Sequence, residues 1–358
     1  MKSFNVGRNV VGHEEPCYVI AEIGNNHQGE LKTALNMIKV AAGMGVNAVK
    51  FQKRDNKALF TNAMYNKPYD NENSYGATYG EHRDYLEFDM EEYIELKKCA
   101  AENEVDFIVT PFDHPSVDFL EKLGIDAYKI ASADITNTPM IEYVAKTGKP
   151  MFVSTGAATL DEIRLAYEMV LRHNNKLCLL HCTAGYPTEY EDLNLNVISA
   201  LIRSFPEAVI GYSGHDNGIL APAIAYMLGA KVVEKHFTLN RSLKGTDHKF
   251  SLEPTGLHKM IRDLRRIDVS LGDGIKQLQA FEVDARKKMG KSLYAARNLK
   301  AGSVITSSDV VVKSPGGGIP PYRLNDMIGK KLVVDVPMEM PFADEHFEAQ
   351  AQKGSRVA

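Results

Sequence analysis

Short, near-continuous apolar runs alternate with amphipathic stretches along this chain. Tyr18 to Gly24 (Y-V-I-A-E-I-G) reads as a buried strand, and Leu31, Leu35, Ile38 and Ala42 then fall on one helical face. Ala48 to Gln52 is a second strand. Further strands are predicted at Asp106 to Phe112, Ala127 to Ser132, Met151 to Thr155, Leu177 to Thr183, Ala208 to Ser213 and Lys231 to Phe237. Helical patterns lie between them. The clearest is the series Leu160, Ile163, Tyr167, Val170 and Leu171, and helices are also predicted around Met90 to Glu102 and from about Thr255 to Leu271. Strands apolar on both faces and flanked by helices indicate an α/β protein whose parallel sheet is covered on both sides. Eight such units in about 270 residues predict a closed (β/α)8 TIM barrel. A doubly wound open sheet is the alternative, but G-N-N-H-Q-G after the first strand is not its G-x-G-x-x-G phosphate fingerprint.

Two regions break the alternation. Arg54 to about Asp89 is rich in Asn, Tyr, Gly and Asp and reads as a long loop with little regular structure, of the kind that covers a site or moves. From about Lys291 the texture changes to short β-like pieces separated by Gly and Pro. The expected organisation is a barrel over 1–275, a linker over 276–290 and a small β-rich domain over 291–350. The last residues, from about Gln350, are expected to be disordered.

Composition narrows the function. The net charge of -4 gives no electrostatic case for nucleic acid or an acidic membrane surface. No run has the parts of a signal peptide or the length to span a bilayer, so a cytoplasmic location is expected. Cys17, Cys99, Cys178 and Cys182 form no C-x-x-C and read as buried thiols of a reducing compartment.

The chemistry lies at the strand ends, where barrel active sites gather. Every predicted strand ends in polar groups: Glu22; Lys50 and Gln52; Thr110; Lys129, Ser132 and Asp134; Ser154; His181 and Tyr186; Ser213 and His215; Glu234 and His236. Buried lysines need anionic partners. Lys50 and Lys129 with Thr110, Ser132, Ser154 and Ser213 make a candidate cradle for phosphate and carboxylate. The plainer reading pairs the lysines with Glu22 and Glu234 and leaves the hydroxyls to cap helices. His215 and His236 close neighbouring strands and are candidate ligands for a divalent metal. A lysine forming a Schiff base, as in aldolases, and a non-catalytic sugar-binding protein are the rival readings.

These residues sit in motifs that resemble the sialic acid synthase family. The motifs are A-E-I-G-N-N-H-Q-G (Ala21 to Gly29), V-K-F-Q (Val49 to Gln52), T-P-F-D (Thr110 to Asp113), Y-K-I-A-S (Tyr128 to Ser132), V-S-T-G (Val153 to Gly156), L-H-C-T-x-x-Y-P-T (Leu180 to Thr188), E-K-H-F-T (Glu234 to Thr238) and D-H-K-F-S-L-E-P (Asp247 to Pro254). K-S-P-G-G-G-I resembles the Pro-Gly segment of the family's C-terminal SAF, or antifreeze-like, domain. The resemblance implies condensation of phosphoenolpyruvate with an N-acetylated aldose such as N-acetylmannosamine, or a deoxy-diacetamido relative as in legionaminate or pseudaminate synthesis. It implies Mn2+ or Mg2+ on His215 and His236. Glu22, Gln52 and Asp134 would assist catalysis, and the lysine and hydroxyl set would hold phosphoenolpyruvate. Tyr186, Asp247, Ser314 and Arg323 would face the sugar. It also implies a domain-swapped homodimer. Four positions depart from the family pattern: Asp134 stands for a glutamate, Gly214 for an aspartate beside the metal histidine, Ala184 for an asparagine, and Ser314 for an arginine. Asp216 could replace the carboxylate missing at Gly214, and Arg323 or Lys313 could stand in for the missing arginine.

Overall fold

A computed structural model describes residues 3–348. The chain divides into two compact units, Met1–Gly272 and Asp273–Ala358. The segment expected to be disordered, from about Gln350, lies outside the described residues.

The first unit is a closed parallel barrel. A hairpin of β1 (Phe4–Val6) and β2 (Asn9–Val11) precedes it. Its strands are β3 (Tyr18–Gly24), β4 (Ala48–Lys53), β5 (Asp106–Pro111), β6 (Ala127–Ile130), β7 (Met151–Ser154), β8 (Leu177–Cys182), β9 (Val209–Gly214) and β10 (Val232–His236), and β10 closes onto β3. The open-sheet alternative is thereby excluded. All but the last two residues of β4 are buried throughout these strands. That double burial is why they read as continuous apolar runs rather than alternating ones.

Helices α1 (Leu31–Gly43), α5 (Met90–Glu102), α6 (His114–Leu123), α7 (Thr138–Ala145), α8 (Leu160–Leu171), α9 (Val197–Ser204), α10 (Leu220–Met227) and α11 (Pro254–Leu271) surround the barrel. Each turns an apolar stripe inward, as α8 does with Ile163, Ala166, Tyr167 and Val170. Local chemistry sets their starts. Asp113 caps α6, Asn137 caps α7, and Thr159 with Glu162 forms a capping box on α8.

Three features differ from the sequence reading. The hairpin was not expected, because three-residue strands are too short to show a period. Phe4, Val6 and Val11 pack with Tyr18, Ile20, Phe152 and Val232 and seal the end of the barrel where the strands begin. Residues 54–89 are not a plain loop. They hold α2 (Asn56–Leu59), α3 (Asn62–Tyr65) and α4 (Tyr79–Tyr85), capped by Asp55, Thr61 and Thr78. Helices this short show no apolar period, although Thr78-x-x-Glu81 is a legible capping box. Finally, β6 ends at Ile130, and Ser132–Asp134 form a single 3-10 turn.

The second unit has its own core of Leu293, Leu299, Ile305, Ile319, Leu332, Val336 and Phe342. Among its described residues one ladder pairs β11 (Ser292–Ala295) with β12 (Val310–Lys313), and isolated bridges such as Leu299 to Val336 fold the rest around it.

Candidate active site

Inside the barrel mouth is a cavity of about 420 Å³, within the usual range for small-molecule sites of roughly 300–1,000 Å³. Strand register builds it. Glu22 pairs with Lys50 across β3 and β4, Gln52 with Thr110 across β4 and β5, and His236 with Glu22 across β10 and β3. Side chains alternate along a strand, so Lys50 with Gln52, and Glu234 with His236, point to one side. Lys235, between the latter two, does not line the cavity.

Four ionisable groups form its floor. Lys50 Nζ lies 2.9 Å from Glu22 and 3.5 Å from Glu234, and Lys129 Nζ lies 3.8 Å from Glu234. All four side chains are at most 5% exposed. Pairing decides their charge. Burial would lower the Lys50 ammonium, but Glu22 and Glu234 more than reverse it and its pKa rises. Burial would raise the Glu234 carboxyl, but Lys129 and Lys50 hold it down at about 2. Burial lowers Lys129; Glu234 offsets this in part and Lys50 adds to it.

The sequence left open whether the hydroxyls cap helices. They do not. Lys50 donates to Thr110 Oγ1 at 3.2 Å, Lys129 donates to Ser154 Oγ at 2.6 Å, and Ser213 Oγ donates to Glu234 at 3.1 Å. Ser132 Oγ accepts from the Gly156 amide at 3.0 Å, and a Cβ at Gly156 would come within 2.7 Å of that oxygen, so the approach needs glycine. The plainer expectation, that Lys50 and Lys129 pair with Glu22 and Glu234, is met. Even so, all four groups line the cavity. Glu234 Oε2 is buried without a hydrogen-bond partner, which suits an incoming donor, whereas Glu22 Oε2 is taken up by Lys50 at 2.9 Å.

The two histidines face each other, ring centres 5.4 Å apart. His215 Nδ1 lies 3.1 Å from the Thr183 carbonyl, which can only accept, so that nitrogen carries the hydrogen and Nε2 presents a lone pair. Burial, then the neighbouring His236, pushes the His215 pKa down to about 3, so the ring is neutral near pH 7. His236 Nδ1 is buried without a hydrogen-bond partner, 3.8 Å from Asp247 Oδ2. The neutral His215 ring and the unpartnered His236 Nδ1 offer nitrogens that suit a divalent cation. Among the described residues no group of three or more His, Cys, Asp or Glu encloses one, so substrate and water would have to fill the other positions. Asp216, the expected replacement for the carboxylate missing at Gly214, does not line this cavity. Its Oδ1 accepts from Tyr212 at 2.6 Å and from Lys235 at 3.1 Å. A Cβ at Gly214 would come within 2.4 Å of the Tyr212 ring, so the tyrosine occupies the space a side chain there would need.

Most of the residues expected at the site line this cavity: Glu22, Lys50, Gln52, Thr110, Lys129, Ser132, Ser154, Tyr186, Ser213, His215, Glu234, His236 and Asp247. The Tyr186 ring lies tilted against His215 with ring centres 4.2 Å apart. Asp134 is not among the lining residues. It closes the turn behind Ser132 and accepts from Asn137 at 3.1 Å. Ser314 and Arg323 belong to the second unit. There Arg323 makes a two-point ion pair with Asp344 at 2.7 and 2.9 Å, and Ser314 accepts from Lys291 and donates to the Met289 carbonyl at 3.4 Å. Neither is a spare donor within its own unit, and Lys313 is likewise paired, with Glu339. Sequence reasoning missed Arg54, Arg83, Cys182 and Thr246, which also line the cavity. Arg54, directly after β4, was legible as a strand-end charge; Arg83 was not, because only the folding of residues 54–89 brings it to the rim.

Comparison with known proteins adds a second line of support. The family model described as NeuB family matches residues 37–276, and that of the SAF domain matches residues 290–348. The chain is 39% identical over 344 residues to N-acetylneuraminate-9-phosphate synthase of Homo sapiens, covering 96% of each chain. It is 34% identical to N,N'-diacetyllegionaminic acid synthase of Legionella pneumophila, over 94% of this chain and 96% of the other. Among solved structures, N-acetylneuraminic acid synthetase of Leptospira borgpetersenii superposes with a TM-score of 0.69 at 33% identity, over 79% of this chain and 95% of the other.

Proposed function

The chain belongs to the NeuB family, with a SAF domain following the barrel, and from that premise we propose that it is a phosphoenolpyruvate-dependent nonulosonic acid synthase. It joins C3 of phosphoenolpyruvate to the aldehyde carbon of an N-acylated aldose; water adds at C2, and phosphate leaves by C–O cleavage. The observation that carries this reading is the buried Lys50 and Lys129 pair, aimed with Thr110 and Ser154 into the cavity that also holds His215 and His236.

In this reading Lys50, Thr110, Lys129, Ser132, Ser154 and Ser213 hold the phosphate and carboxylate of phosphoenolpyruvate. The closed barrel floor excludes bulk water, which strengthens each of these contacts. Glu22, whose Oε1 accepts from Gln52 at 2.6 Å and whose Oε2 lies 2.9 Å from Lys50, is placed to orient the aldose and to take up or give a proton. Tyr186 and Asp247 face the sugar. His215 and His236 hold Mn2+ or Mg2+, which when bound supplies Lewis-acid polarisation of the aldehyde. Asp134 acts only through the Ser132 turn.

A homodimer in which the SAF domain of one copy covers the barrel of the other belongs to the same proposal, as does a cytoplasmic setting. All four cysteines are free and buried, which supports the latter. The relatives are synthases, which disfavours the aldolase and sugar-binding readings. Incubation with phosphoenolpyruvate, Mn2+ and a panel of N-acylated aldoses tests the proposal. Phosphate release that needs all three supports it; no release with any aldose sinks it. Borohydride trapping of a lysine adduct would favour the aldolase instead.

A further inference from the structure

The run Glu234-Lys235-His236 places a lysine between two residues that line the cavity. Alternation along β10 turns Lys235 to the other side of the strand. There its ammonium donates to the main-chain carbonyl of Asp216 and, at 3.1 Å, to Asp216 Oδ1. The same oxygen accepts from the Tyr212 hydroxyl at 2.6 Å. Both side chains of this ion pair are 0% exposed. Neither lines the cavity, and the reaction as derived above uses neither.

Stability alone does not account for such a pair. Taking two charges out of water costs about as much as their attraction returns, and apolar side chains of similar volume often serve a fold as well or better. The position of the pair is more telling. It joins the residue after His215 to the residue before His236. The ladder between β9 and β10 ends with Gly214 opposite Lys235, one residue short of both histidines. The ion pair links the two segments at that end. Each histidine is also tied on its far side. The Thr188 amide donates to the His215 carbonyl at 3.2 Å, and Thr188 Oγ1 donates at 3.2 Å to the Thr183 carbonyl that faces His215 Nδ1. His236 pairs with Glu22 in the ladder to β3.

We infer that Lys235 and Asp216 are positioning residues for the metal pair: their buried ion pair holds His215 and His236 at the separation a divalent cation requires. This rests on the reading of the two histidines as metal ligands. The brace works through the backbone, because neither side chain reaches the cavity.

The test uses the full-length double variant Lys235→Met with Asp216→Asn, which removes both charges and keeps an acceptor for the Tyr212 hydroxyl. Free Mn2+ is measured by electron paramagnetic resonance, thermal unfolding is followed without metal, and KM for phosphoenolpyruvate is measured at saturating Mn2+. Mn2+ binding should weaken by about tenfold or more, with Tm within about 3 °C of wild type. KM for phosphoenolpyruvate should stay unchanged, and excess Mn2+ should restore most of the turnover. Wild-type Mn2+ affinity in the double variant overturns the brace, as does a loss that falls equally on KM for phosphoenolpyruvate. Tyr212→Phe removes one bond to Asp216 while keeping the ring against Gly214, and it decides the matter if the double variant does not fold. A roughly threefold weakening of Mn2+ binding supports the brace; unchanged affinity overturns it. His236→Ala is the control: unaltered Mn2+ affinity there would refute the metal reading itself, and the brace with it.

Discussion

Replacing Glu234 by glutamine removes one of the two carboxylates on the cavity floor and leaves its shape. Lys50, 3.5 Å away, keeps Glu22, but Lys129, 3.8 Å away, loses its nearest counter-ion. At an effective dielectric of about 20 each contact is worth roughly 4–5 kcal/mol before desolvation. Breaking a buried pair from one side costs about 3–5 kcal/mol, because the remaining charge stays buried. For a unit of this size that corresponds to a fall in Tm of roughly 5–15 °C. Thermal unfolding of Glu234→Gln without ligand should show it. The same variant should gain more than wild type from added phosphoenolpyruvate or inorganic phosphate, since an anion would replace the lost charge. The double variant Lys129→Met with Glu234→Gln should recover most of the stability, because both halves of the pair are gone. A single variant within about 0.5 kcal/mol of wild type, with an unchanged response to phosphate, would show that water already reaches these lysines. The cradle argument would then fail.

Three further predictions concern other parts of the barrel. His236→Ala should weaken Mn2+ binding by at least about tenfold, read by electron paramagnetic resonance of free Mn2+, with an unchanged circular dichroism spectrum; unaltered affinity would make the histidine structural. Gly214→Ala should cost about 1–3 kcal/mol in chemical denaturation, because its Cβ meets Tyr212 at 2.4 Å and Asp216 at 2.6 Å. Gly256→Ala, whose nearest neighbour is Leu252 at 3.4 Å, should cost nothing comparable. Burial pushes the His27 pKa from 6.5 down to about 3, so the folded state favours the neutral ring and the unfolded chain binds the proton first. Its contribution to stability is complete above about pH 6.5 and is lost as the pH falls toward 3, by about 2 kcal/mol at pH 5. His27→Gln should flatten the stability profile between pH 7 and 5 by that amount; an unchanged slope would contradict the assignment.

The eight barrel strands were legible because burial on both faces makes each one a continuous apolar run. The cavity floor was legible because a lysine inside such a run has no solvent to reach. What could not be read depends on contacts distant in sequence. Phe4 and Val11 look like surface residues until the hairpin closes on Phe152. Arg83 has no signal of its own until α4 folds over the barrel. Asp134, one residue past a pocket-lining alanine, looked catalytic by position, and the 3-10 turn directs it to Asn137 instead. Gly214 looked like a loss, yet the packed Tyr212 ring and the Asp216 to Lys235 pair fill the surrounding space.

The central claim is a condensation in which phosphate leaves with C–O cleavage. Running the reaction in 18O-labelled water with phosphoenolpyruvate, Mn2+ and an N-acylated aldose, and analysing both products by mass spectrometry, tests it directly. The account predicts one solvent oxygen at C2 of the new ulosonic acid and none in the released phosphate. Label in the phosphate, or phosphate release that does not need the aldose, would contradict it.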